Sequence, residues 1–225
     1  MMERALLYNS ANKLSLYDKL FPWDYYLVAR EFIKEKTAFV NLAGNFTEKL
    51  LENKYSPSII REISGTEPSL TEALINAGAK IYGNLNEIDD NSLNLITSRF
   101  APIDLKLVKS KLKKGGHLIA EEIGFASFES VAYALDMEDM LPSFNSQNNL
   151  ENRKQQLLNE GFRVVTRNQE YKKILLNKAE LAEFIAALSV FFANAKLFER
   201  ELENINKEKF SVVLHCYIYT AKKLN

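Results

Sequence analysis

The feature that most constrains this chain is an alternation: short apolar runs of strand length, separated by stretches whose apolar residues recur at helical spacing. Strand-like runs fall at residues 37–43, 58–64, 80–84, 92–99, 117–123, 162–170 and 210–220. Between them, residues 22–35, 47–51, 69–77, 103–111, 128–135, 155–160 and 179–198 read as helices. Pro22 suits a first helical turn and Thr47 an N-cap, while Gly78 and Gly161 stand where two of the helices should end. Residues 113–116 read as a turn, and the Asn-rich stretch 143–149 as a loop. Strands alternating with helices predict an α/β fold with a mainly parallel sheet covered on both faces. The final strand follows a long helix and reads as a sheet edge. Val212, Leu214, Cys216 and Ile218 share one face, and Val213, His215, Tyr217 and Tyr219 the other. With no repeat and no linker, residues 1–225 read as one domain, an N-terminal entry region (1–36) preceding the core (37–225).

Charge narrows the partners. Lys+Arg and Asp+Glu both count 29, so the net charge is zero, and a general nucleic-acid footprint is not expected. The longest mainly apolar stretch, 186–195, is about half of what a membrane span needs. No signal-peptide pattern opens the chain. The lone Cys216 forbids an internal disulfide and fits a reducing cytoplasm. His215 and Cys216 are strand neighbours whose side chains diverge, so no metal site is expected. There is no P-loop, no dinucleotide fingerprint and no serine elbow.

Three stretches carry a family resemblance. Ser92-Leu-Asn-Leu-Ile-Thr-Ser-Arg99 resembles the "S-F-D-L-V" fourth strand of the Rossmann-like (class I) S-adenosylmethionine-dependent methyltransferases. Lys111-Leu-Lys-Lys-Gly-Gly-His-Leu-Ile119 resembles their "L-K-P-G-G" turn into the fifth strand. Gly161-Phe-Arg-Val-Val165 resembles the "G-F-x-v" entry to the sixth. Pro22-Trp-Asp-Tyr25 and Glu121-Glu-Ile-Gly124 are similar to one bacterial subgroup. The resemblance spans roughly residues 20–222. It implies a Rossmann-like three-layer sandwich with a seven-stranded sheet whose last strand is antiparallel. The cofactor would lie across the carboxyl ends of the first strands.

By the same resemblance, the cofactor loop "D/E-x-G-x-G-x-G" corresponds to Asn41-Leu-Ala-Gly-Asn-Phe-Thr47. The patterned glycines are Ala43, Asn45 and Thr47, and only Gly44 remains, at an unpatterned position. Glycine there admits positive φ and close approach of backbone to ligand. Asn45 tolerates that conformation, Ala43 adds one methyl, and the ring of Phe46 could fill the methionine pocket. Asn41, Asn84 and Asn94 stand where the family has acids. Each keeps hydrogen bonding and loses charge, and drift in an Asn-rich chain and selected loss both explain them. Glu62 is the implied ribose carboxylate, with Glu67 the competing alignment. Asn84, Leu85 and Ser98 complete the cofactor set.

On the acceptor side stand Trp23, Tyr25, Arg99 and Glu121: Trp23 and Tyr25 suit packing of the entry helix onto the sheet or closing over a ligand, and Glu121 suits a structural carboxylate or a base. Arg99 suits either a bidentate hold on an anion or a surface ion pair. Glu121 and Glu122 point to opposite faces, so at most one faces a given pocket. His117 reads as a cap or a solvent-facing residue. The broad apolar face of 179–198 suits core, a subunit contact or a pocket wall. Two functional readings follow: an S-adenosylmethionine-dependent methyltransferase acting on a small-molecule acceptor, or a catalytically inactive relative serving as a homodimeric or heteromeric binding partner.

Overall fold

A computed structural model of the chain describes residues 17–34, 37–42, 49–50, 61–63, 72, 75–76, 78–143, 148–188 and 196–225. Among the described residues, seven strands form one sheet: β1 (Phe39–Asn41), β2 (Arg61–Ile63), β3 (Lys80–Tyr82), β4 (Leu93–Arg99), β5 (Leu112–Ile123), β6 (Phe162–Asn177) and β7 (Lys209–Lys223). Their order is β3-β2-β1-β4-β5-β7-β6. β1 to β5 pair in parallel, and β7 runs antiparallel to both neighbours. The last strand is therefore not an edge. It lies between β5 and β6 because a returning strand pairs antiparallel without a right-handed crossover, and its burial on both faces follows from that place.

Helices cover both faces. α1 (Tyr25–Arg30) is capped by Asp24, which accepts from Leu27 N. Pro22 thus precedes the helix rather than opening it, and the helix is shorter than 22–35. α1 packs Tyr25, Tyr26 and Ala29 on Phe39, Leu95, Ile119 and Ile218. On the opposite face, α2 (Leu105–Lys111) and α4 (Leu150–Asn159) bury Leu105, Val108, Leu150 and Leu157 against Val40, Ile96, Leu118 and Ala120. Asp104 caps α2, and Asn149 caps α4. At the far end of α2, Lys223 Nζ reaches the Lys109 and Leu112 carbonyls at 2.8 and 2.7 Å.

Three further helices, α3 (Phe125–Ala134), α5 (Lys178–Leu188) and α6 (Lys196–Asn204), build a cluster on the α1 side with Phe128, Phe184, Leu188, Phe198, Phe210 and Leu214. The stretch 179–198 thus contains parts of two helices, with 189–195 outside the described residues. Thr47 and residues 144–147 of the Asn-rich loop also lie outside them. β5 begins at Leu112, before the expected turn. Its register against β4 jumps between Leu93 and Leu95, and Gly115 takes φ +80° there. Such a bulge places an extra residue in one strand and favours glycine. His117 is half-buried against the Phe32 ring, centroids 4.9 Å apart, rather than capping or facing solvent.

β7 outruns β5. Pairing to β5 runs from Lys222 to Cys216, whereas pairing to β6 continues to Lys209. Beyond Ile123 the vacated edge of β7 is taken by two serines one helical turn apart on α3. Ser127 Oγ accepts from His215 N and donates to His215 O; Ser130 Oγ does the same for Val213. Side chains thus stand in for a missing strand and pair the N–H and carbonyl of His215 and Val213.

The same ribbon buries His215, whose ring stacks on Tyr171 at 4.2 Å and 14°. Burial pulls its pKa down to about 4 from the usual 6.5. Below pH 6.5 the unfolded chain takes up a proton that the folded chain refuses, so this contribution to stability is lost as pH falls from 6.5 to 4. Denaturant melts of the wild type and His215→Phe should therefore converge or cross on acidification. The relative change is on the order of 2 kcal/mol after allowance for solvent screening. Parallel pH profiles would refute it.

Candidate cofactor and acceptor site

The carboxyl end of β1 lies beside the middle of β2 and the later part of β4. Asn41, the last residue of β1, is in register with Glu62 on β2 and Thr97 on β4. Asn41 is fully buried, and its Oδ1 accepts from Thr97 Oγ1 at 3.0 Å. The amide is thereby oriented by its neighbour strand. Glu62 lies one strand away, in the middle of β2, with backbone pairs on both sides. Ala43, Gly44, Asn45, Phe46 and Glu67 fall outside the described residues.

At the end of β3, Asn84 caps a short 3-10 turn, Leu85–Glu87, by accepting from Asn86 N. Leu85 is buried with Ile88 and Leu93, so its side chain belongs to the core. The turn presents a carboxylate that sequence reasoning missed. Glu87 accepts from Gly83 N at 2.7 Å and from Asn84 Nδ2 at 3.0 Å. A Cβ on Gly83 would come within 2.3 Å of the Glu87 carboxylate. Gly83 followed four residues later by Glu87 is the signal, and it is legible only once Asn84 is known to cap a turn. An acid is thus present near the third strand after all, tethered to the Asn that replaces the expected one.

Asn94 has a different place. It sits toward the amino end of β4, and its Oδ1 accepts from Ala38 N at 3.1 Å. That contact ties the start of β1 to β4, away from the carboxyl edge, so the loss of an acid here says little about a cofactor. Ser98, near the end of β4, is fully buried, and its Oγ has no hydrogen-bond partner among the described residues.

The acceptor-side residues do come together. Arg99 Nε donates to Glu121 Oε2 at 2.6 Å, and Trp23 Nε1 donates to Glu121 Oε1 at 2.7 Å. The Arg99 guanidinium lies over the Tyr25 ring at 5.5 Å and the Phe100 ring at 4.8 Å. Phe21 stacks on Trp23. Burial raises the Tyr25 hydroxyl well above its usual range, with the Arg99 charge acting against that. The ion pair foreseen for Arg99 exists, but it is buried, Arg99 2% and Glu121 1% exposed. Phe100 has φ +51°, a left-handed backbone that a bulky aromatic rarely adopts. Such outliers cluster at functional sites, and this one ends β4 directly after Arg99.

Glu122 faces the other way, as strand alternation requires. It accepts from Tyr219 OH at 2.6 Å, Tyr217 OH at 3.0 Å and Arg153 Nη2 at 2.7 Å. Burial, then the Glu122 charge, pushes both tyrosine hydroxyls up. Among the described residues, no group of three or more His, Cys, Asp and Glu is placed to hold a metal. Nor is any described helix long and apolar enough to cross a membrane.

Solved structures share this architecture over most of the chain. A candidate methyltransferase from Bacillus halodurans matches at 12% identity over 90% of this chain and 99% of its own, with TM-score 0.55. An S-adenosylmethionine-dependent methyltransferase from Methanosarcina mazei matches at 12% identity over 90% and 99%, with TM-score 0.52. The chain has the class I methyltransferase fold. Haemonchus contortus phosphoethanolamine N-methyltransferase 2, in complex with phosphomonomethylethanolamine and S-adenosylhomocysteine, shares this fold at 13% identity and TM-score 0.50, over all of this chain and 61% of its own. No family model and no curated protein matches the sequence.

Proposed function

We propose that this methyltransferase-fold protein binds S-adenosylmethionine and transfers its methyl group to a small-molecule acceptor. The observation that carries the reading is the register of Asn41 with Glu62 at the carboxyl edge of the sheet. In open α/β sheets that edge is where ligands bind. The buried amide of Asn41, held by Thr97, and the Glu87 carboxylate tethered after β3 support that cofactor. Glu62 would accept both ribose hydroxyls, Glu87 would stand by the adenine, and Asn41 would take the methionine end beside the loop of Ala43, Gly44 and Asn45. Ser98 would support the same edge from β4. When bound, S-adenosylmethionine supplies an activated methyl group.

The chain's own contribution is then placement. Holding an acceptor nucleophile in line with a reacting carbon is a proximity effect of several kcal/mol. Trp23, Tyr25 and Arg99 would shape the acceptor's entrance, and Glu121 would hold Arg99 and Trp23 in position. The phosphorylated amine bound in the Haemonchus enzyme illustrates an acceptor of the size we envisage. A neutral chain working on such a compound needs no nucleic acid, and we place the activity in the cytoplasm, in a single domain of residues 1–225.

Titration calorimetry tests the reading. The parent should bind S-adenosylmethionine or its demethylated product with micromolar affinity, and Glu62→Ala should lose about 2 kcal/mol, roughly 30-fold, with the ribose hydrogen bonds. Ala43→Gly with Asn41→Asp should bind more tightly than the parent. No heat at millimolar cofactor would leave a scaffold that serves as a binding or dimerisation partner.

A further inference from the structure

The His215 ring poses a separate question, on the sheet face opposite Asn41 and Glu121. It is 2% exposed, and among the described residues neither Nδ1 nor Nε2 has a hydrogen-bond partner. A neutral imidazole carries one donor and one acceptor. Leaving a buried polar group unpaired costs about 1–3 kcal/mol, and native interiors keep few such groups.

Its position says what could satisfy it. The ring lies directly against Gly124, so close that a Cβ there would fall 1.9 Å from Nδ1. Gly124 is the N-cap of α3 and has no side chain to cap it. Of the first amides of that helix, Phe125 N donates to Asn148 O and Ser127 N to Gly124 O. Ala126 N–H forms no hydrogen bond among the described residues. An uncapped helix N-terminus favours negative charge. Tyr171 covers the ring from β6 and is itself 52% exposed. Lys173 follows two residues on, opposite Val213, and so lies diagonal to His215 on the same ribbon face. The nearby negative charge, Glu122, is already matched by Arg153 and two tyrosine hydroxyls.

We propose that His215, the N-terminus of α3 and Lys173 form a binding site for a small oxyanion, a phosphate or carboxylate group, with Tyr171 as its movable cover. The imidazole donates one N–H to the anion, the helix end supplies amide dipole and Lys173 supplies charge. The site does not depend on methyl transfer, since it faces away from the candidate cofactor edge.

The full chain carries two histidines, so ring-nitrogen NMR reads His215 with His117 as an internal control. Inorganic phosphate and acetate are titrated at constant ionic strength set by chloride. The expected result is a saturable shift of the His215 ring nitrogens with a midpoint near 1 mM, about −4 kcal/mol, and no saturable shift at His117. Lys173→Gln, at an exposed position, should weaken the midpoint about threefold to tenfold, as loss of one partly screened charge does. Saturation by both ions assigns any oxyanion, and saturation by phosphate alone or acetate alone narrows the class to that ion's. A His215 signal unmoved by both ions, shifted equally by chloride, or saturating identically in Lys173→Gln would overturn the proposal.

Discussion

Glu122→Leu should destabilise the protein by about 3–5 kcal/mol, the cost of stripping a buried ion pair of one partner. The carboxylate is 3% exposed and holds Arg153 through Nε and Nη2, besides both tyrosine hydroxyls. Leucine fills the volume but leaves Arg153 and Tyr219 OH facing an apolar side chain. Tyr217 OH keeps Asn148 Oδ1 as a neighbour at 2.7 Å, and that contact limits the loss. For a chain of this length the melting midpoint should fall by roughly 6–20 °C. Glu122→Gln, which keeps the hydrogen-bonding shape without the charge, should cost less than half as much. A calorimetric melt of Glu122→Leu within about 1 kcal/mol of the parent would mean that the network is solvated and carries little of the stability.

Much of this architecture was legible beforehand, and the reasons are local. The strand at Leu93–Arg99 announces itself because Leu93, Leu95 and Ile96 face apolar layers on both sides, so the run is nearly continuous. Gly161 marks the end of α4 because the chain needs φ +82° there. The place of β7 was not legible. Burial on both faces of a strand says that it is covered, and says nothing about which strands flank it. The divergence of Glu121 and Glu122 followed from strand alternation alone. That Trp23 would bond to Glu121 across 98 positions could not follow from any spacing.

The candidate site divides in the same way. Asn41 and Glu62 are singled out by the family resemblance, with Glu67 as the competing alignment, and the sheet carries Asn41 and Glu62 in register. Glu87 could not be singled out, because its role depends on Asn84 capping a turn, a choice made by side-chain hydrogen bonds rather than by apolar pattern. Asn94 misled for a related reason: composition cannot distinguish an Asn at the amino end of a strand from one at the carboxyl end. Two carboxylates on adjacent positions of β5 thus anchor opposite layers of the sandwich. Glu121 ties Trp23, just ahead of α1, to the sheet, and Glu122 ties α4 to it.

The second large effect belongs to Arg99. Arg99→Met leaves Glu121 buried with Trp23 Nε1 still bonded but without its cation, and should cost about 3–5 kcal/mol. Methionine keeps much of the stem that packs between Tyr25 and Phe100, so the loss reports charge more than volume. The double variant Arg99→Met, Glu121→Gln removes both charges and keeps an acceptor for Trp23. It should regain at least half of the loss, giving a coupling of about 1.5–3 kcal/mol in a double-mutant cycle of chemical denaturation. Tryptophan fluorescence adds an independent readout, because Trp23 is the sole tryptophan. Its emission should keep its native position in the double variant and move to the red in Glu121→Ala, where the indole loses its acceptor and the entry helix its tie to β5. Additive losses in the cycle, together with unshifted emission in Glu121→Ala, would show that α1 is held by Tyr25, Tyr26 and Ala29 alone. The Arg99–Glu121–Trp23 contact would then have no part in closing that end of the sheet.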